Sequence, residues 1–280
     1  MINLWPKLQH HHSGYLISME LQDLPEGCIA KILSYTTPMD ACRLSLVSKA
    51  FCSAAESDTV WDCFLLSDLT SVIPSSSFPS FTSKKNLYFT LSHHPIIIHQ
   101  GTRSVQLDKK TGKKIYMLSA RNLTIIKGDS YNVQHWEWTS LPESRFQEVA
   151  MLRAVCWFDI SGKINTLGLS SNTHYAAFLV FKMINASGFH YHPTVLSVGI
   201  FGGSNNTKYA CLDPNLKGSR LWELQHPNVR SDGWLEIEMG DFFNSGQEEN
   251  QVQMKIMEAT SHILKRGFIL EGIEIRPKHV

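Results

Sequence analysis

The chain has 280 residues, 43% of them hydrophobic, enough for one large core or for a small core and a larger one. Its 26 Lys and Arg balance 25 Asp and Glu, and a net charge of +1 gives no electrostatic footprint for nucleic acid or a membrane surface. Six cysteines without a Cys-x-x-Cys pair or regular spacing exclude a disulfide framework and read as thiols of a reducing compartment, cytoplasmic or nuclear.

Residues 1–18 show no periodicity and lack the apolar stretch and cleavage site of a secretion signal. They are expected to be a disordered leader, on which His10, His11 and His12 form no metal site. No apolar run approaches the ~20 residues of a membrane span. Residues 19–67 read as three helices. Leu24-Pro25 opens the first, with Asp23 placed to cap it, and Ile29, Ile32 and Leu33 follow at helical spacing. Thr37-Pro38 breaks that helix and starts a second, with Thr37 as N-cap. Ala41, Leu44 and Val47 form its stripe, which Phe51 and Ala55 extend. Asp58 is placed to cap a last helix carrying Trp61, Phe64 and Leu65. So small a unit barely supports a core, and its apolar residues outnumber what its own packing needs. One of its faces is therefore expected to be buried by a partner.

Residues 68–100 read as a linker and connecting segment: a Ser-, Pro- and Thr-rich run over 71–83, then a short helix from Lys84 to Leu91. From 101 to 280 the period becomes alternating. Strands are expected at Lys114–Ser119, Leu123–Lys127, Ala154–Ile160, Tyr175–Ile184 and Val195–Phe201. The Tyr175–Ile184 strand is apolar enough to be central and covered on both faces. Near the end, Leu235, Ile237 and Met239 point one way and Trp234, Glu236 and Glu238 the other. Val252, Met254 and Ile256 repeat the pattern, as do Ile273 and Ile275. Many strands with Gly, Asn and Asp turns argue for an antiparallel β-sandwich, so the chain is α+β and multidomain.

The stretch LPEGCIAKILSYTTPMDACRLSLVSKAFCSAAESDTVW resembles an F-box. The stretches LDKKTGKKIYMLSARNLTI, SRFQEVAMLRAVCWFDISGKINT, THYAAFLVFKM, SDGWLEIEMGDFF and GFILEGIEIRPK resemble, in the family's order, the plant phloem protein 2 domain, which is related to the tobacco lectin Nictaba. The resemblance implies an F-box that binds the Skp-type adaptor, and through it the cullin, of an SCF ubiquitin ligase. Some of Leu24, Pro25, Ile32, Leu33, Leu44 and Val47, each of which reads singly as core, would then face the adaptor. It also implies a jelly-roll-like lectin sandwich whose relatives bind oligosaccharides such as N-acetylglucosamine oligomers or N-glycan cores. Family lectins carry two Trp implicated in sugar binding. Here the second is kept as Trp136, but Lys127 stands at the first. The implied carbohydrate site is thus Trp136 with Lys127, one stacking platform short. The expected role is a non-catalytic receptor subunit that brings a glycoprotein or protein client to the ligase. The alternative is a stress-responsive lectin or interaction protein acting outside a ligase.

Other constellations are weaker. Glu236 and Glu238 share a strand face, and paired carboxylates are the equipment of glycoside hydrolysis, but a solvated face explains them equally well. Nothing assembles Cys156, Asp159 and His174 into a nucleophilic site. Lys109, Lys110, Lys113 and Lys114 flank a Thr111-Gly112 turn and read as a solvated hairpin. His190 and His192 lack partners for a metal, so no metal, cofactor or catalytic residue is expected.

Overall fold

The computed structural model describes residue 21 and residues 24–65, 83–126, 135–216, 224–258 and 263–278. The expected leader, Asp23, Lys127 and the Ser- and Pro-rich run lie outside them.

The described residues of the N-terminal unit form four helices where three were expected: α1 Glu26–Leu33, α2 Pro38–Leu44, α3 Lys49–Glu56 and α4 Asp58–Phe64. The extra break falls at Ser48, whose Oγ accepts the Phe51 N–H at 3.3 Å and caps α3. Pro25 itself holds the N-cap position of α1, its carbonyl accepting the Cys28 and Ile29 N–H groups. Thr37 caps α2, accepting the Asp40 N–H at 3.1 Å, with Pro38 in the first turn. The cap of α4 is Ser57 rather than Asp58, whose carboxylate instead accepts the Lys84 N–H at 2.9 Å. Trp61 is fully buried at the centre, its Nε1 donating to the Ala55 carbonyl at 2.7 Å.

Helix α5, Lys84–His93, docks this unit onto the sandwich. Its Tyr88 and Phe89 rings stand 5.2 and 5.4 Å from Trp61. Strand β1, Ile96–Ile98, follows and pairs with β2, Arg103–Leu107, so the sheet begins before residue 101. The turn leading to β3, Lys114–Ser119, is tied by the Asp108 carboxylate to Thr111 and Lys110. Gly112 there adopts φ +70°, and a Cβ on it would stand 3.2 Å from Pro38 of α2. The two parts thus share one continuous core.

Two antiparallel sheets form the sandwich. The nine-stranded sheet runs β1-β2-β3-β14-β8-β12-β11, with β5 and β6 added beside β14. Here β5 is Trp136–Thr139, β6 Val149–Leu152, β8 Thr173–Ser187, β11 Asn228–Val229, β12 Leu235–Asn244 and β14 Arg266–Pro277. The five-stranded sheet runs β10-β9-β13-β7-β4, with β4 Thr124–Ile125, β7 Phe158–Asn165, β9 Thr194–Ile200, β10 Asn205–Ala210 and β13 Gln251–Glu258. Alternation puts Leu179 and Phe181 of β8 and Ile273 and Ile275 of β14 against Leu196, Val198, Met254 and Ile256 of the opposite sheet. A smaller cluster of Met117, Phe146, Val149, Val180, Trp234 and Ile269 covers part of the nine-stranded sheet's outer face.

Candidate functional sites

On the helical unit, Cys28 and Ile32 of α1 and Tyr35 of the turn after it follow at helical spacing and are all exposed. Tyr35 is 79% exposed, and Leu46 and Val47, in the turn after α2, are 86% and 67% exposed. Of the six candidates, Pro25, Ile32 and Val47 are exposed and Leu24 and Leu44 half-buried. Leu33 is fully buried and packs the unit from within, so it cannot touch a partner. Tyr35 and Leu46 were missed. Tyr35, three residues after Ile32, continues the same stripe, which was readable from spacing alone.

The expected sugar platform needs correction. Trp136 is only 8% exposed, with its ring against Phe158 and Phe268 at 6.1 and 6.4 Å. It cannot offer a face to a pyranose from there. Trp138 is also occupied, since the Arg121 guanidinium lies 3.6 Å from its ring centre. Trp157, adjacent to Phe158, is an aromatic turned outward at this end, 45% exposed. Ile126 and Leu264 share that end, placed by the Ile126 N–H bond to the Asp159 carbonyl and the Val155–Lys265 bridge.

The same end of the sandwich holds several buried polar groups. Glu258 pairs in register with Phe158 and takes the inward position after Val252, Met254 and Ile256. Lys265 Nζ stands 3.0 Å from Glu258 Oε2, and both side chains are at most 1% exposed. Lys265 also donates to the Cys156 and Ile263 carbonyls at 3.0 and 3.3 Å. The Glu258 oxygens are compensated in charge but accept no hydrogen bond among the described residues, because the Lys265 contact lacks the geometry of one. Trp136 Nε1 is likewise buried and unbonded among them. His135 Nδ1 donates to the Ala154 carbonyl at 2.7 Å, which in a neutral ring leaves Nε2 a bare, buried acceptor. The apolar alternation broken by Glu258 was a legible sign of this site.

The carboxylate pair is engaged. Glu236 accepts from Arg276 at 2.8 and 2.7 Å and from Arg230 at 3.0 Å. Glu238 accepts from Lys208 at 2.7 Å and Lys278 at 3.2 Å. Burial alone would raise the Glu238 pKa, but these two lysines hold it below its ordinary value. Glycosidic acid catalysis needs the opposite shift in one partner. Asp159 pairs with Lys255 and His174 packs against the Phe243 ring, so neither joins Cys156 in a nucleophilic site. Lys114 is buried, its Nζ donating to the Gly168 carbonyl, which removes it from the supposed basic cluster. Among the described residues no group of three or more His, Cys, Asp or Glu could hold a metal ion, and no helix is long and apolar enough to cross a membrane.

A helical unit with an uncovered apolar face, fused to a two-sheet sandwich with a polar-lined end, defines an F-box protein with a lectin-like domain. The F-box domain profile matches residues 21–63 and the phloem protein 2 profile residues 113–277. The chain belongs to the phloem protein 2 family, in its F-box-bearing form. It is 42% identical over 266 residues to F-box protein PP2-B10 of Arabidopsis thaliana, covering 94% of this chain and 96% of that one. It is 39% identical over 270 residues to F-box protein SKIP3 of the same plant, covering 95% and 91%. Among solved structures, a family 35 carbohydrate binding module from Clostridium thermocellum aligns with 57% of this chain and 96% of its own, at TM-score 0.31 and 9% identity. A likeness at that score carries no argument about the ligand.

Proposed function

We propose that this protein is the client receptor of an SCF-type ubiquitin ligase, working in the cytoplasm and nucleus. The F-box holds a Skp-type adaptor, and through it the cullin, while the sandwich captures a glycan or glycoprotein client. The uncovered face of the helical unit, with Ile32, Tyr35, Leu46 and Val47 turned to solvent, carries this reading. Exposed anchors of this kind, rather than Leu33, would enter the adaptor. The sandwich supports a glycan through the exposed Trp157 ring, which is available for stacking. Transfer of ubiquitin would follow from effective concentration, with no chemistry asked of this chain.

The test is co-purification with a Skp-type adaptor. Tyr35→Asp together with Val47→Asp should abolish it while thermal unfolding stays unchanged. Failure of the parent chain to co-purify with the adaptor would leave a lectin acting outside a ligase as the better reading, and full retention by the double variant would overturn the assignment of this exposed face as the docking surface.

A further inference from the structure

A separate cleft of about 420 Å³ opens on the outer face of the nine-stranded sheet, where β6, β8 and β14 meet. Sites for small molecules span roughly 300–1,000 Å³, so it has room for a monosaccharide-sized body. It faces outward because the inward side chains here are Leu152, Phe268 and Leu270, whereas Met151, Arg153 and Ile269 alternate with them.

A break in strand register builds the cleft. Arg266 pairs with Ser187 and Phe268 with Met183, so three residues of β8 oppose Gly267 alone. A Cβ on Gly267, at φ +74°, would stand 2.3 Å from the Ile184 carbonyl oxygen, so only glycine allows this approach. Asn185 turns left-handed at φ +48°. Ile184 is left 51% exposed above a floor of Met151 and Ile269.

The polar lining has one sign. Arg153 is held at the rim by Glu137, through Nε and a terminal nitrogen. The Arg266 side chain is exposed and has no ion-pair or hydrogen-bond partner among the described residues. No acidic side chain lines the cleft. A guanidinium presents a planar fork that matches a carboxylate two bonds at a time.

We propose that this cleft binds a carboxylate carried on a compact body of monosaccharide size, an acidic sugar. The carboxylate takes the fork of Arg266, the Asn185 amide takes a ring hydroxyl, and the apolar face of the ring lies on Ile184. A bare inorganic anion would leave the apolar floor and most of the volume unused. The cleft shares no side chain with the end that carries Trp157, so it stands whether or not a neutral glycan binds there.

Titration calorimetry of the full chain with glucuronate, glucose and inorganic phosphate tests it. Glucuronate should bind, glucose should bind at least tenfold more weakly, and Arg266→Gln should weaken glucuronate roughly tenfold. Arg266→Lys should restore only part of the loss, because an ammonium has no fork. Ile184→Ser, a second exposed substitution, should weaken glucuronate without altering the response to phosphate. Absence of glucuronate binding, or binding indifferent to Arg266→Gln, overturns the proposal. Phosphate binding as tightly as glucuronate also overturns it, reducing the cleft to a cationic patch.

Discussion

Glu258 stands where the alternation of β13 calls for an apolar side chain, and Lys265 is the charge that compensates it. Two ions removed from water are tolerated together far better than either alone. Lys265→Met should therefore lower the unfolding free energy by ~3–5 kcal/mol in urea titrations. Lys265→Met combined with Glu258→Leu should recover most of that loss. A double variant as unstable as the single would mean that the two charges do not compensate each other. The two tryptophans at this end should separate in the same manner. Trp136 is packed between Phe158 and Phe268, so Trp136→Ala should cost ~3–5 kcal/mol by cavity formation. Trp157 is 45% exposed, and Trp157→Ala should change stability by no more than ~0.5 kcal/mol. A stacked ring contributes ~0.5–1.5 kcal/mol beyond its buried area, enough for Trp157→Ala to erase weak binding on a glycan array. If Trp157→Ala keeps all binding while Trp136→Ala loses it without destabilisation, the platform is Trp136 after all.

Strand β13 and the first half of β12 were legible from their alternation, and β8 from its almost wholly apolar run; their inner faces meet in one core. The alternation misleads at bulges. In β14 the register shifts between Leu270 and Gly272, so Phe268 and Leu270 point inward on even numbers and Ile273 and Ile275 on odd ones. Trp234 was expected on the same side as Glu236 and Glu238, and it is on that outer side, yet fully buried. The reason is tertiary: its Nε1 donates to the Glu143 carbonyl at 3.2 Å, and Phe146 packs against it. Periodicity cannot announce a segment that folds back over a sheet. The short strands β1 and β5 carry few residues in which to show a period, and β10 is polar and exposed along most of its length, so it shows no apolar alternation. The candidate adaptor residues mixed faces for a similar cause, since apolarity marks both the core of α1 and its outer stripe. The outer face of β12 also carries a titration signature. Glu238 ionises below its ordinary value of 4.5 because Lys208 and Lys278 outweigh its burial, and Lys278 holds Asp241 down as well. Stability from such carboxylates is complete above their unfolded pKa and is lost as pH falls through the lowered folded one. Glu238→Gln should thus shrink the loss of stability between about pH 5 and about pH 3, measured by urea titrations at each pH. An acid limb as steep as that of the parent chain would show that the two lysines contribute nothing net there.

Across the whole molecule, the F-box and the sandwich are joined by packing as well as by sequence. Trp61 of α4 rests on Tyr88 and Phe89 of α5, and Tyr88 in turn donates to the Asp108 carbonyl, in the turn between β2 and β3, at 3.0 Å. Burial pushes the Tyr88 hydroxyl far above its ordinary pKa, so it remains a donor at any ordinary pH. Lys85 ties the same helix to Glu56 of α3 at 2.5 Å, and Gly112 brings the turn against Pro38. In the proposed receptor role, this packing would hold a client end at a fixed orientation to an adaptor end and so set the effective concentration of a client near the ligase. The helical unit also depends on the sandwich for its core, because Tyr88 and Leu91 lie outside the F-box stretch yet are buried with it. Residues 1–82 alone should therefore lack a cooperative transition, whereas residues 83–280, which keep α5 and β1, should unfold cooperatively by circular dichroism. In the full chain, Tyr88→Ala should split the single thermal transition in two, with the helical unit melting first and adaptor capture declining over the same temperature range. One unshifted transition for Tyr88→Ala, or a folded 1–82 fragment, would show that the two parts are independent bodies that merely touch.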